Sequence, residues 1–556
     1  MRMFGVKSFR AAELFLTLAI VLPALLISAG CRDRLAPGLA EAPPDPNAYK
    51  NRKILKPKVE QPVDVSEETA LIEKAYESSR TARRNFGSQE SGGVRLATTA
   101  IESNLDIAPT LVIWLFDASP ASQKMAIESV SAAKAYYTSP TTKSKLDDPE
   151  QPLLTVVGRF AESLELLTPE PTSTEADISA ALDKVLDAPP IEAATTQPLT
   201  AAQSAAEKFL STRTEGGRQV LLVMVTAQAG SDDAKAETLA PMLQRMAIPL
   251  YVIGTAAPWG QPGPPANVGA RPNEREAAKP TRYGPESRYS ERVLVHMSAT
   301  GNYRTNENLA IESGFGPFGL EWVARASGGM FFASRPLTSS FSNFRHGNTY
   351  TVWPTGSEWR FEPNVASKYA PDYVSEAEYQ KRLGNAAARA LHEAAKLGDL
   401  VIDEYPALNF ERKSEAQMAR SLSTAQQYAA RNVPPVDRRY DLLLAGESGR
   451  DSLPTARWQV QYDIAMGQVL AAKVRLDGYN AMIAALKRGK TPTDPESKLW
   501  LLEQSTNIET GSAMQKMAEK ATMYLTRVKQ EHPGTPWAKL AEEELLSPLG
   551  WSWKEG

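Results

Sequence analysis

The chain has 556 residues, 42% hydrophobic and 23% charged, with 62 Lys plus Arg against 65 Asp plus Glu and a net charge of −3. At about 100–200 residues per domain this accommodates about two to four domains, with enough apolar residues to bury a core and no basic field to hold nucleic acid. The single cysteine, Cys31, excludes intrachain disulfides, zinc sites built on two or four thiolates and CxxC redox chemistry, and the four histidines (His296, His346, His392, His532) are too scattered for a dense metal cluster.

The amino terminus reads as an export segment. Arg2, Lys7 and Arg10 precede an almost wholly apolar run from Ala11 to Gly30, broken near its start by Glu13, and the run closes Ser28-Ala29-Gly30-Cys31. This ending resembles the bacterial lipobox, in which small residues precede a cysteine that becomes lipidated; Ser28 stands where leucine is usual. The resemblance implies that Cys31 is a lipid attachment point and that the bulk of the chain is exported and anchored at the cell envelope. An uncleaved transmembrane anchor is an alternative, since about 20 apolar residues span a bilayer, and a plain cleaved signal is a third.

Residues 32–65 are rich in proline and charge and poor in aromatics, the composition of an extended tether. A helical lead-in occupies 66–106. It opens with a helix from Ser66 to Asn85, capped by Ser66 and carrying Glu67 and Glu68 at its positive end. From Pro109 strands alternate with helices. Continuous apolar runs predict strands at Thr110–Phe116, Leu153–Phe160, Gln219–Thr226, Pro249–Gly254 and Gly329–Ala333. Apolar residues at helical spacing predict helices at Gln123–Tyr137, Ala176–Leu186, Ala201–Leu210, Ala234–Met246 and Gly319–Ala326. Such alternation gives parallel connections and a doubly wound sheet.

Residues 256–318 interrupt this pattern with a Pro-, Gly- and Arg-rich stretch, within which Glu291–Met297 reads as a strand or hairpin edge. Loops of this length are usually functional or mobile. Residues 339–374 are aromatic and irregular and read as a connector packed on a neighbour. From Ser375 to the end the pattern is helical, with long helices at Arg457–Leu486 and Ser512–Val528 and a final helix opened by Thr535-Pro536-Trp537. The expectation is an α/β doubly wound, mostly parallel sheet followed by an all-α C-terminal helical domain at 375–556.

The first strand ends Asp117-Ala118-Ser119-Pro120-Ala121, placing hard oxygen donors where doubly wound sheets bind ligands. With the Ile248–Gly254 strand and the closing Ala324-Arg325-Ala326-Ser327-Gly328-Gly329 turn, this resembles the von Willebrand factor type A domain over residues 107–338, with 256–318 as an insertion. The resemblance implies a Mg²⁺ site of the form DxSxS plus a threonine and an aspartate from two later loops. Asp117 and Ser119 match. Ala121 replaces the second serine, Ala176 occupies the threonine position with Thr174 close by, and the usual Thr-Asp-Gly reads Thr226-Ala227-Gln228. The acidic arm is then absent unless Asp232 or Asp233 reaches back. The implied site is therefore degenerate, with Asp117 and Ser119 as its core and Thr174 and Asp232 as possible additions. No cofactor is expected beyond a possible Mg²⁺.

Other signals are structural in this reading. Gly314–Gly319 fits GxGxxG by letter, but a polar segment precedes it and Pro317 removes an amide, so it reads as a turn. Gly446-Glu447-Ser448-Gly449 reads as a loop among helices. Arg275, Arg282, Arg288 and Arg292 offer a surface for an anionic partner or lipid headgroup, but the interleaved Glu274, Glu286 and Glu291 favour a solvated mixed-charge loop. Together these features predict a non-enzymatic, membrane-tethered protein that binds an unidentified protein partner, with the carboxyl-end loops and 256–318 as the contact face. Two alternatives are a Mg²⁺-dependent hydrolase using Asp117 and a scaffold that binds through its C-terminal helices. Substituting Cys31→Ser is expected to abolish palmitate labelling and leave unprocessed precursor; a wild-type chain that takes no label identifies a plain anchor or signal instead.

Overall fold

A computed structural model of the protein describes residues 91–192, 196–257, 259, 285–293, 295–297, 314–334, 361–362, 365–398, 400–402 and 406–556. The export segment with Cys31, the tether, the Ser66–Asn85 helix, Arg275, Arg282 and His346 lie outside the described residues.

Strand β1 (Thr110–Asp117) is buried along all eight residues, as a continuous apolar run must be when both faces are covered. It is followed by β2 (Leu154–Phe160), β3 (Leu164–Leu166), β4 (Gln219–Thr226), β5 (Leu250–Thr255), a separate strand β6 (Val295–Met297) and β7 (Met330–Ser334). Six of these form one sheet in the order β3-β2-β1-β4-β5-β7, parallel except for the short edge strand β3. Around the sheet lie α1 (Ser91–Leu105), α2 (Gln123–Tyr137), α3 (Pro140–Leu146), α4 (Glu175–Asp187), α5 (Pro198–Lys208), α6 (Leu210–Thr214), α7 (Ala236–Met246) and α8 (Phe318–Ala326).

Side-chain alternation along the strands divides the core in two. Val112, Trp114 and Phe116 join Val157, Val223 and Ile253 under α1, α2 and α4. Leu111, Ile113 and Leu115 join Leu222, Met224 and Val252 under α5, α7 and α8. The turn that closes the sheet needs its two glycines. Gly328 has φ +87°, and a Cβ on Gly329 would fall 2.0 Å from the Leu250 carbonyl oxygen.

The C-terminal region contains α9 (Glu376–Arg382), α10 (Ala386–Ala395), α11 (Glu415–Ala445), α12 (Ala456–Lys487), α13 (Ser512–Glu531) and α14 (Pro536–Leu546). Helix α12 is buried around most of its circumference and lies at the centre, against α11, α13 and α14. The cap before α14 forms as its sequence implies: Thr535 Oγ1 accepts from Ala538 N at 3.2 Å, with Pro536 in the first turn.

This region is helical but also carries strands that the sequence reading did not include. β8 (Leu400–Ile402) pairs in parallel with β6. β9 (Asn409–Glu411), β10 (Leu499–Ser505) and β11 (Gly550–Glu555) form an antiparallel sheet in the order β11-β10-β9. That sheet is tied to the helices through Trp551, whose indole N–H donates to the Arg475 carbonyl at 2.8 Å.

Residues 285–293 correct the reading of a solvated mixed-charge loop. Glu286, Glu291 and Arg292 are buried between the α/β sheet region and the helices. Arg457 of α12, itself 1% exposed, donates from Nη2 to Glu286 Oε1, from Nε to Glu291 Oε2 at 3.4 Å and from Nη1 to the Tyr369 carbonyl at 3.1 Å. Arg288 donates to Asp233 Oδ2 at 2.9 Å and to Glu237 Oε1 at 2.8 Å. The Tyr289 ring stacks on Tyr379 with centroids 3.7 Å apart, and its hydroxyl donates to the Val374 carbonyl at 2.6 Å. Glu286, Glu291 and Arg292 thus meet partners inside the protein, which is how buried charge becomes tolerable, while Arg288 pairs with carboxylates nearer the surface.

Within the sheet core, Trp114 Nε1 and Thr155 Oγ1 both donate to the Tyr137 hydroxyl, at 2.9 and 3.0 Å. Tyr137→Phe strands these buried donors and is expected to cost about 1–3 kcal/mol of stability, read as a lower denaturant midpoint with unchanged slope.

Candidate functional site

The strand order reverses about β1 and β4, so their carboxyl ends form the switch point at which open α/β sheets bind ligands. Asp117 closes β1 there, and its carboxylate is enclosed by donors. Oδ1 accepts from Ser119 N at 2.8 Å, while Oδ2 accepts from Ser122 Oγ at 2.6 Å and from Thr226 Oγ1 at 2.7 Å. Ser122 Oγ accepts in turn from Ala227 N at 2.9 Å. Ser119 Oγ accepts from the side-chain amide of Gln228 at 2.6 Å. Asp117, Ser119, Ser122 and Thr226 are all buried.

Asp117 and Ser119 thus come together as the sequence implies, and the two possible additions do not join them. Thr172 bridges to Thr155, near the amino end of β2, whereas Asp117 is level with Phe160 at its carboxyl end. Thr174, two residues on, is an exposed residue at the start of α4, on the opposite edge of the sheet from Asp117. Asp232 turns to α5, where its Oδ2 accepts from both Thr200 N and Thr200 Oγ1 at 2.7 Å. The neighbouring Asp233 is engaged by Arg288.

Two residues escaped the sequence reading. Ser122 lies one position beyond the expected second serine and turns its hydroxyl onto Asp117. Thr196 lies on a chain segment laid across the carboxyl edge: Ile191 N donates to Ala118 O, Gln197 N to Ala161 O and Ser231 N to Thr196 O. Its Oγ1 is buried without a hydrogen-bond partner. The available sequence signal for Thr196 was the cap-like Thr-Gln-Pro ahead of α5; the signal for Ser122 was a third hydroxyl near the end of β1.

This donor set does not fit a divalent cation. Mg²⁺ requires near-octahedral oxygen ligands. The site offers one carboxylate, already accepting three hydrogen bonds, and Ala121 and Ala227 add no side-chain oxygen. The amide N–H of Gln228 points at Ser119 Oγ and brings the positive end of a dipole where a cation would need an oxygen lone pair.

A second cluster, Asp463, Glu531 and His532, has metal-ligand residue types within 4.8 Å of one another. Arg450 already fills it, donating from Nε to Asp463 Oδ1 at 3.0 Å and from Nη2 to both Asp463 Oδ2 and Glu531 Oε2. Arg527 adds a further contact to Asp463 Oδ1 at 3.4 Å. Burial, with Lys368 nearby, pushes His532 down to about 4, and its Nδ1 lies 2.9 Å from the Tyr369 hydroxyl. His392 is likewise structural, with Nδ1 beside the Ser290 carbonyl and the Tyr379 hydroxyl. The GxGxxG stretch is a turn: Gly316 N donates to the buried Glu321 Oε2 at 2.8 Å. Among the described residues no helix is long and apolar enough to cross a membrane.

No protein-family model matches the sequence, and no curated protein matches it. Among solved structures that match is an aerotolerance-related membrane protein from Bacteroides fragilis NCTC 9343, in a form with multiple mutations to serines. The identity is 19% over 41% of this chain and 92% of that chain, with a TM-score of 0.22, too distant a likeness to transfer a role.

Calorimetric titration of the protein with Mg²⁺ or Mn²⁺ is expected to give no binding tighter than about millimolar. Ser122→Ala removes a buried donor from Asp117 and is expected to cost about 1–3 kcal/mol, measured by denaturant unfolding.

Proposed function

We propose that the protein is a non-enzymatic, envelope-tethered member of the von Willebrand factor type A class that acts in protein binding or assembly. The observation that carries this reading is the closure of Asp117 by Ser119, Ser122 and Thr226. A carboxylate so engaged is poorly placed to activate water or to hold a catalytic metal. The hydrolase alternative needs more carboxylates at the carboxyl edge than this arrangement supplies. For the same reason partner capture rests on shape and surface chemistry, and not on a partner's acidic residue completing a metal's coordination. Exposed Ile191 lies on the segment beside Ala118, and exposed Ile127 lies on α2, the helix that follows β1.

A second reading, a scaffold that binds through its C-terminal helices, is favoured by a different observation. An open groove of about 680 Å³ runs along α13 and the end of α14, lined in part by Ile508, Met523, Leu545 and Leu549. Mixed apolar and polar lining of this kind suits a peptide or helix.

Affinity capture of the membrane-extracted full-length protein, with and without chelator, tests both. Residues 285–293 belong to the core, so point substitutions are more informative than removal of 256–318. Capture is expected to survive chelation and to fail in Ile127→Arg combined with Ile191→Arg. Failure in Met523→Arg alone moves the contact face to the helices. Chelator-sensitive capture, or turnover of phosphoester, peptide or glycan substrates that Asp117→Ala abolishes, overturns the proposal.

A further inference from the structure

The outer stripe of α13 reads symmetrically from its middle. It walls the open groove along most of the helix, from Gln515 to Glu531. Met523 stands at the centre and is 40% exposed. Glu519 lies one turn before Met523 and Arg527 one turn after it, while Gln515 and Glu531 lie about two turns to either side. Residues four apart share a helix face, so these five form one row. An acid and a base at equal distances from an apolar centre are the charge order of a surface that can pair with itself.

The apolar side of the groove is level with the same centre. A tight turn joins α13 to α14, and the two run antiparallel, with Lys529 paired to Glu542 at 3.0 Å. Leu545, which lines the groove, and Leu546, which is 78% exposed, therefore come beside the central turns of α13. Among the described residues of the helical region, Leu546 and Met523 are the two most exposed large apolar side chains. The charged groups of the row keep capacity for an outside contact. Glu519 accepts from the neutral Gln515 amide at 3.0 Å, a contact that leaves its charge in place. Arg527 donates from Nη1 to Asp463 Oδ1 at 3.4 Å and from Nη2 to Met523 Sδ at 3.1 Å, which uses two of the five N–H groups of a guanidinium.

We propose that this face binds a second copy of the chain, α13 against α13 in antiparallel register about a two-fold axis at Met523. This names the occupant of the groove and rests on the second reading above, that the chain binds through its C-terminal helices. In a two-fold contact a surface meets itself, so each residue faces the one equally far from the axis on the other helix. Glu519 then faces Arg527 of the partner subunit, and Arg527 faces Glu519 of the partner subunit. Gln515 meets Glu531 and Lys516 meets Gln530 in the same register, so no like charges stand directly opposite. A parallel pairing in register sets Glu519 against Glu519 and Arg527 against Arg527, which excludes it. Thr522 and Thr526, small side chains on the groove side, let the two axes approach to the usual spacing of about 8–10 Å. Met523, Leu545 and Leu546 supply the apolar contact, while the exposed ion pairs add little affinity and fix the register.

Light scattering of the membrane-extracted full-length protein, with the detergent mass subtracted, tests the pairing. A helix-pair contact is smaller than a standard interface and correspondingly weak, so the mass is expected to rise from one copy to two across about 1–100 µM. Glu519→Arg sets an arginine against Arg527 and is expected to weaken association at least about tenfold. Adding Arg527→Glu reverses both charges and is expected to recover it. Under mild oxidation Met523→Cys is expected to form a chain-to-chain disulfide at least about ten times faster than Lys396→Cys, an exposed site at the end of α10. The wild-type chain, with Cys31 as its one cysteine, sets the background. A single-copy mass throughout, a Glu519→Arg variant that associates like wild type, or equal cross-linking at the two sites overturns the proposal. Capture of a different protein that Met523→Arg abolishes, by a chain that stays single-copy, also overturns it and leaves the second reading standing. Arg527→Glu gives up the contact with buried Asp463; should the double variant fail to fold, the Glu519→Arg weakening and the Met523→Cys pairing still decide it.

Discussion

Arg457 cannot sit at the centre of this molecule without counter-charge. A guanidinium removed from water costs several kcal/mol unless its donors are met, and its neighbours on α12 are largely apolar. The carboxylates and carbonyl that meet it come from residues 286, 291 and 369, all outside α9 to α14. The demand of one buried cation therefore draws the 285–293 segment inward, and with it Tyr289 onto Tyr379 and Arg288 onto the amino end of α7. The same hydrophobic core then runs from Leu111 and Leu222 in the sheet to Tyr462 and Tyr479 in α12. Sheet and helices are distinct in pattern but continuous in packing.

Much of the sheet is legible in the sequence because a strand buried on both faces leaves a local signature. TLVIWLF and QVLLVMVT admit few other structures, and the β4 limits match the apolar run from Gln219 to Thr226. The small antiparallel sheet leaves almost none. β9 has three residues and its partner in β10 is far along the chain, so pairing is set by tertiary contacts such as Phe410 opposite Trp500. The charged segment misleads for a related reason. Alternating Glu and Arg look the same whether they face water or one another, and only the position of Arg457 distinguishes the cases. At the carboxyl edge, Asp117 and Ser119 are legible because they are adjacent to a clear strand. Ser122 and Thr196 are not, since their roles depend on how turns fold over β1. Thr174 shows the converse: its position along the sequence is plausible, but the antiparallel β3 has carried the chain back to the other edge.

The carboxyl edge is polar yet self-contained. Asp117 joins β1 to β4 through Thr226, and Ser122 relays the link to the Ala227 amide. Hydrogen bonds to a buried carboxylate are among the stronger neutral-to-charged contacts a protein makes, so this network fixes the relation of the two central strands. Two hydroxyls and one backbone amide thus close the Asp117 carboxylate from within the fold.

The pairing of β6 with β8 has a consequence for how the chain is made. Val295 lies parallel to Leu400, and His296 to Val401, across a long intervening stretch that includes β7 and α10. Contacts between such distant residues carry a high loop-closure entropy and form late. During synthesis from the amino terminus, the α/β sheet can be assembled while β6 still lacks its neighbour. Until β8 emerges, β6 lacks the strand it pairs with among the described residues, so order of emergence becomes order of assembly.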